Sequence, residues 1–203
     1  MTSEHLIRQA ASSQHSLHPV RRVVTGHTAD GHSTIITDGP SPNSWASQDV
    51  VGFGAIVPWL TTPPGISNEG NEDAAPADAA VPMYPEVGGT VFRIASFPPD
   101  ARYADGGAES LFDDIGGEHA RDAAGAEDDS RHFWFHRTDS LDYAIVLEGE
   151  IWLLTDKDEA LLRPGDVVIQ RGTSHSWSNR TDRTCRMAFI LLGAPPLSGS
   201  RSA

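Results

Sequence analysis

The chain has 203 residues, 38% of them hydrophobic and 21% charged, with a formal net charge of −13 at pH 7. That length suits one domain able to bury a real core, and its single cysteine, Cys185, excludes an intramolecular disulfide framework or a multi-cysteine zinc site. With 28 acids against 15 bases, nucleic-acid backbone binding is disfavoured. No apolar run reaches the roughly 18–20 residues of a membrane span, and nothing before Pro19 reads as a secretory signal. The expected setting is therefore the cytoplasm, with neither nucleic acid nor membrane as partner.

Residues 1–18 read as a frayed tail, with one weak helical turn around Leu6, Ile7 and Ala10. Residues 19–203 read as a single β domain. Val20–Thr25 and Ser33–Thr37 flank a Gly26–Gly31 turn and predict a hairpin, followed by the breaker cluster Asp38–Asn43. A short strand is expected within Val50–Leu60 and a clear one at Thr90–Phe97, ended by Pro98-Pro99. Further strands are predicted at Tyr143–Leu147, Ile151–Thr155, Ala160–Leu162, Val167–Gln170 and Cys185–Leu192, with a turn between each pair. Evenly spaced short strands of this kind predict an antiparallel sandwich or barrel, with its core over about 88–193.

Charge is concentrated rather than spread. Residues 67–86 hold five acids and no base, and residues 100–131 hold ten acids against Arg102, Arg121 and Arg131. Rich in Ala, Gly and Asp, both stretches are expected to be solvated or mobile loops near the barrel mouth, where they would limit access. In Asp142–Leu147, Asp142, Ala144 and Val146 alternate with Tyr143, Ile145 and Leu147. The first set is expected to line the interior. The second then needs a cover, from the N-terminal strands or from a second subunit, which makes a homodimer the expected assembly.

The C-terminal hundred residues resemble the cupin family, specifically the small single-domain cupins. The family's second motif, G(x)5PxG(x)2H(x)3N, is matched by Gly165, Gly172, His175 and Asn179, with Gln170 in place of the proline and one residue fewer before it. The first motif, G(x)5HxH(x)3–4E(x)6G, is matched as His136-x-Thr138-(x)3-Asp142-(x)6-Gly149, with Thr138 for the second histidine and Asp142 for the glutamate. The resemblance implies an all-β, antiparallel jelly-roll barrel with N-terminal strands added, and a pocket inside it. It also implies a divalent metal (Fe, Zn, Mn or Ni) held by His136, Asp142 and His175, the same residues being the candidate catalytic groups. Two imidazoles and one carboxylate suit non-haem iron, or zinc with a water.

Around that set, His132 is a candidate replacement ligand, sharing parity with Trp134 and His136 on a regular strand, and Thr138 adjoins it. Trp134 and Trp177 would form an apolar wall, and Asn179 would orient His175 or line the rim. The other six histidines read as solvated, Cys185 as core packing, and the serines show no nucleophile-elbow context. Three functions stay open. One is a metal-dependent oxygenase, lyase or isomerase acting on an organic or keto acid or a phenol-like compound. The second is a metal-free acid–base dehydratase or isomerase using the same pocket. The third is a non-catalytic small-ligand binder.

Overall fold

The computed structural model describes residues 17–103 and 132–198. The expected N-terminal helical turn, His5, His15, His119 and all of the second acidic stretch from residue 104 lie outside the described residues. In chain order the strands are β1 (Arg21–His27), β2 (Ser33–Pro40), β3 (Ser44–Ala46), β4 (Gly54–Thr61), β5 (Thr90–Phe97), β6 (Ser140–Glu148), β7 (Ile151–Thr155), β8 (Glu159–Leu162), β9 (Val167–Arg171), β10 (His175–Ser178) and β11 (Cys185–Gly193). One 3-10 turn, Asp100–Tyr103, follows β5.

The strands form a six-stranded antiparallel sheet, β3-β4-β5-β11-β6-β9, a three-stranded sheet, β10-β7-β8, and the separate hairpin β1-β2. Apolar side chains of the two larger sheets share one core: Val91, Ala95 and Phe97 of β5, Val146 of β6 and Met187 of β11 pack with Ile151, Leu162 and Trp177 from the opposing sheet. Each large apolar side chain buried there contributes roughly 1.5–3 kcal/mol relative to exposure. This is the jelly-roll architecture of a β-barrel with N-terminal strands added.

Turn chemistry closes the barrel. Gly149, between β6 and β7, has a positive φ of 75°, and a Cβ there would come within 2.8 Å of the Thr184 carbonyl oxygen. Only glycine meets both demands. Gln170, where the family pattern has proline, donates its side-chain amide to the Thr173 carbonyl (3.2 Å). It thereby ties down the loop that leads into β10.

Along β6 the alternation expected from sequence is realised. Ser140, Asp142, Ala144 and Val146 are buried, whereas Tyr143 and Leu147 are exposed, as are Val167 and Ile169 on neighbouring β9. That outer face stays exposed among the described residues of the single chain. Among the described residues, no helix is long and apolar enough to cross a membrane.

The first acidic stretch departs from its expected character as a solvated loop. Ala75 and Met83 are buried in the core. Asp73 accepts a bidentate pair from Arg22 of β1 (2.8 and 2.6 Å), whose guanidinium also donates to the Pro58 carbonyl at 3.1 Å. Asn43 donates to the carbonyls of Pro76 (2.8 Å) and Ala79 (2.9 Å). Composition misleads here because alanine and proline bury little area per residue. Backbone carbonyls answered by specific donors hold the segment instead.

Candidate active site

A cavity of about 310 Å³ opens between the two sheets. Its residues arrive from strands of both sheets and from the segments between them, with Trp45 of β3 and Ala55 and Val57 of β4 along one side. β5 contributes Arg93, Ala95 and Phe97, alternate residues of one strand face. β6 contributes Asp142 and β11 contributes Phe189 and Leu191, while β10 contributes His175 and Trp177. The segment before β6 adds Trp134, His136 and Thr138, and the first acidic stretch roofs the space with Ala77, Ala79, Val81 and Met83. Edge-to-face contacts fix the aromatic wall: Trp134 on Phe53 at 5.3 Å and Trp177 on Phe189 at 5.5 Å between centroids.

His136 and His175 are neighbours across an isolated β-bridge, exchanging both backbone hydrogen bonds (2.9 and 3.0 Å), with ring centroids 4.3 Å apart. Each ring is oriented by a main-chain carbonyl: His136 Nδ1 donates to Trp134 (2.8 Å) and His175 Nδ1 to Thr173 (2.9 Å). A carbonyl only accepts, so both Nδ1 atoms carry hydrogen and both Nε2 atoms carry the lone pair. Burial pushes the His136 pKa down to about 4, with the Arg93 cation adding to the effect and the Trp134 carbonyl opposing it. Burial, and then His136 beside it, hold His175 well below the usual histidine value. Both imidazoles are neutral at pH 7.

The facing wall is charged. Burial raises the Asp142 carboxyl to about 6, against the lowering effects of the Ser140 hydroxyl and the Arg93 cation. Its Oδ1 is buried with no hydrogen-bond partner. Burial brings Arg93 down to about 10, with Asp142 opposing, so the guanidinium stays protonated. Thr138 Oγ1 accepts from Ser140 (2.9 Å) and fills the place of the family's second histidine without offering a nitrogen donor.

Two predicted pocket residues lie elsewhere. The 132–135 segment is a turn, not a regular strand, so the parity argument for His132 does not apply. His132 sits behind β10, its Nδ1 2.6 Å from Ser176 Oγ and its Nε2 3.3 Å from Asp100 Oδ2. Asn179 does not line the cavity either. Its amide donates to Phe97 and Arg183 carbonyls (2.8 and 2.7 Å) and its oxygen accepts from Thr181 (2.7 Å), knitting the β10–β11 loop. Conversely, Arg93 lines the cavity although no sequence motif points to it. The available signal was its position on the same strand face as Val91, Ala95 and Phe97, a lone charge among apolar residues.

The implied metal can be tested against these donors. The imidazoles have the right protonation and orientation, and Asp142 Oδ1 lacks a partner. Yet, among the described residues, no three His, Cys, Asp or Glu side chains converge as one ligand set. The expected trio lines one cavity from opposite sides, and the residues as placed do not fit a three-ligand centre.

The chain is 32% identical over 184 residues to phomopsin biosynthesis cluster protein C' of Diaporthe leptostromiformis, covering 87% of this chain and 79% of that protein. It is 28% identical over 188 residues to the cupin-domain-containing oxidoreductase fogC of Aspergillus ruber, covering 89% and 77%. The chain belongs to the cupin family. No family model matches this cupin. Among solved structures, a cupin 2 conserved barrel domain protein from Salinispora arenicola is 17% identical, over 58% of this cupin and 68% of that chain, with a TM-score of 0.33.

Proposed function

We propose that this cupin is a small-molecule enzyme that moves a proton on an organic substrate held in the barrel cavity, an isomerase or dehydratase in reaction class. One observation carries the reading: a carboxyl poised at about 6 faces two neutral imidazoles across a cavity walled by aromatic rings. Efficient acid–base catalysis needs a group that titrates near the working pH. Asp142 meets that condition, and His136, at about 4, does not. Asp142 is therefore the proton-transfer group. It takes a proton from carbon next to a substrate carbonyl and returns it at oxygen or at a second carbon.

The two imidazoles bind rather than ionise, their Nε2 lone pairs receiving a substrate hydroxyl. The aromatic wall keeps water from the carbon that reacts. The biosynthesis-cluster and oxidoreductase names of the relatives support a small organic substrate. The exposed outer face of β6 and β9 supports a homodimer, tested by sedimentation at micromolar concentration.

The test of the enzymatic reading is proton exchange. Incubated in D2O with 1,3-dicarbonyl and hydroxy-ketone probes, the protein is expected to accelerate deuterium incorporation at the α-carbon, and Asp142→Asn is expected to abolish the acceleration. Exchange unaffected by Asp142→Asn would refute the assignment. So would a stoichiometric metal whose removal by chelator abolishes the exchange.

A further inference from the structure

Six arginines of the described residues end on carboxylates: Arg21 on Asp38, Arg22 on Asp73, Arg163 on Glu150, Arg180 on Glu159, Arg183 on Asp182 and Arg186 on Glu148. Arg93 does not. It lies mid-strand in β5, paired in register with Phe189 of β11, and its side chain enters the cavity on the face shared with Ala95 and Phe97. Its Nη2 donates to the Pro82 carbonyl at 2.8 Å, which pins one corner of the guanidinium beneath the roof segment. Among the described residues no carboxylate lies within ion-pair distance of it, and it is the cavity's sole arginine or lysine. Asp142 attracts it only from beyond that distance, and a guanidinium held in this wall without a directly paired anion is costly unless something anionic arrives to pair with it. The fixed fork of N–H donors matches a planar oxyanion better than it matches water.

The rest of the cavity says what carries that anion. Trp45, Phe53, Phe97, Trp134, Trp177 and Phe189 present ring faces and edges to one space, which suits a planar, conjugated body. One cation suits one negative charge. Phosphate esters, which recur with several N–H donors from a helix N-terminus or a glycine nest, find neither among the lining residues. We propose that Arg93 is an anion anchor and that the ligand of this cavity is an aromatic monoanion, with its carboxylate or phenolate oxygen on the guanidinium and its ring against the tryptophans. This rests on reading the cavity as the substrate site and narrows the class of substrate that it takes.

The test is calorimetric titration of the 203-residue chain with 2-naphthoate, its neutral isostere 2-naphthamide, and pentafluorophenolate. Wild-type protein is expected to bind 2-naphthoate at least ten-fold more tightly than 2-naphthamide. Arg93→Gln is expected to erase that ratio, with 2-naphthamide binding falling at most a few-fold as the tie to the Pro82 carbonyl is lost; the retained amide binding also shows that the variant is folded. Arg93→Lys, which keeps the charge and loses the fork, is expected to retain part of the preference. Pentafluorophenolate separates the two anion types: binding like naphthoate supports either oxygen donor, and binding no tighter than the amide restricts the class to carboxylates.

Equal binding of acid and amide by the wild type, or an acid preference that survives Arg93→Gln, overturns the anchor and leaves the cavity reading intact. If Arg93→Gln loses both probes, Arg93→Lys decides: an undiminished acid preference sinks the requirement for the fork, and a reduced one sustains it. Failure of every probe on the wild type overturns the anchor together with the cavity as an aromatic site. The proton-transfer reading is judged separately by the exchange experiment with Asp142→Asn.

Discussion

The cavity's two titratable walls respond to burial in opposite ways. On the wall made by β10 and the segment before β6, burial acts on two bases and leaves His136 and His175 uncharged, each braced by a backbone carbonyl. On the wall made by β5 and β6, burial acts on an acid and a guanidinium, and neither is fully relieved. Desolvation is the same physical effect on both sides. It makes the imidazoles quiet hydrogen-bonding groups and makes Asp142 a titrating one. The difference separates groups that hold a ligand from the group that exchanges a proton with it.

The largest effect expected from this contrast is on turnover. Asp142→Asn should lower proton exchange by about 10²–10⁴-fold, the usual range for a lost general base, while raising stability at pH 7. The sign follows from the raised folded pKa: between 3.8 and about 6 the folded state holds a proton that the unfolded state has released. Stability attributable to this carboxyl therefore falls as pH rises through that window. Removing the ionised form should recover about 1–3 kcal/mol at neutral pH, read by urea unfolding. A destabilised Asp142→Asn protein would show that the carboxylate is structural.

The imidazole wall should behave inversely. The folded state withholds protons from His136 between about 4 and 6.5 that the unfolded state binds. The stability attributable to His136 should therefore rise with pH across that interval, against the fall from Asp142. His136→Gln should flatten the rise, with exchange falling only about ten-fold, as for one lost hydrogen bond to substrate. Unfolding curves at pH 4.5, 5.5 and 6.5 check the slope. The exchange rate of wild-type protein should climb through pH 6 on the Asp142 titration. A controlling pKa below 5 would transfer the proton-moving role to the histidines.

The smallest expected effect falls outside both walls. Arg22→Ala removes the pair to Asp73, which is about a third exposed, and should cost about 1–2 kcal/mol, less than a fully buried pair would. Binding of 2-naphthamide should weaken a few-fold as the roof segment loosens. An unchanged affinity would mean that Asn43 and Arg93 suffice to secure the roof.

Much of this was legible in the chain. Thr90–Phe97 appears as a strand with the expected bounds, because alternation and a Pro-Pro stop coincide there. The inward set Asp142, Ala144 and Val146 was readable because a period of two admits only two faces. The short strands β3 and β10 were not read, since three or four residues show no period. β10 owes its place to pairing with β7, a long-range contact. His132 and Asn179 were drawn to the site by motif position, while their side chains satisfy buried partners behind it. Arg93 escaped notice because the family pattern begins after it, although β5's own alternation pointed inward.

The roof of the cavity is fastened without the side chains that it turns toward the ligand space. Its ties run through Asp73 to Arg22, through the carbonyls of Pro76 and Ala79 to Asn43, and through the Pro82 carbonyl to Arg93. The inward side chains of Ala77, Ala79, Val81 and Met83 take no part in those ties. Three of the four anchor points are main-chain oxygens, which every residue type supplies. The lining can therefore diverge residue by residue, reshaping the ligand space, while the sheet beneath and the attachment of the segment are inherited unchanged.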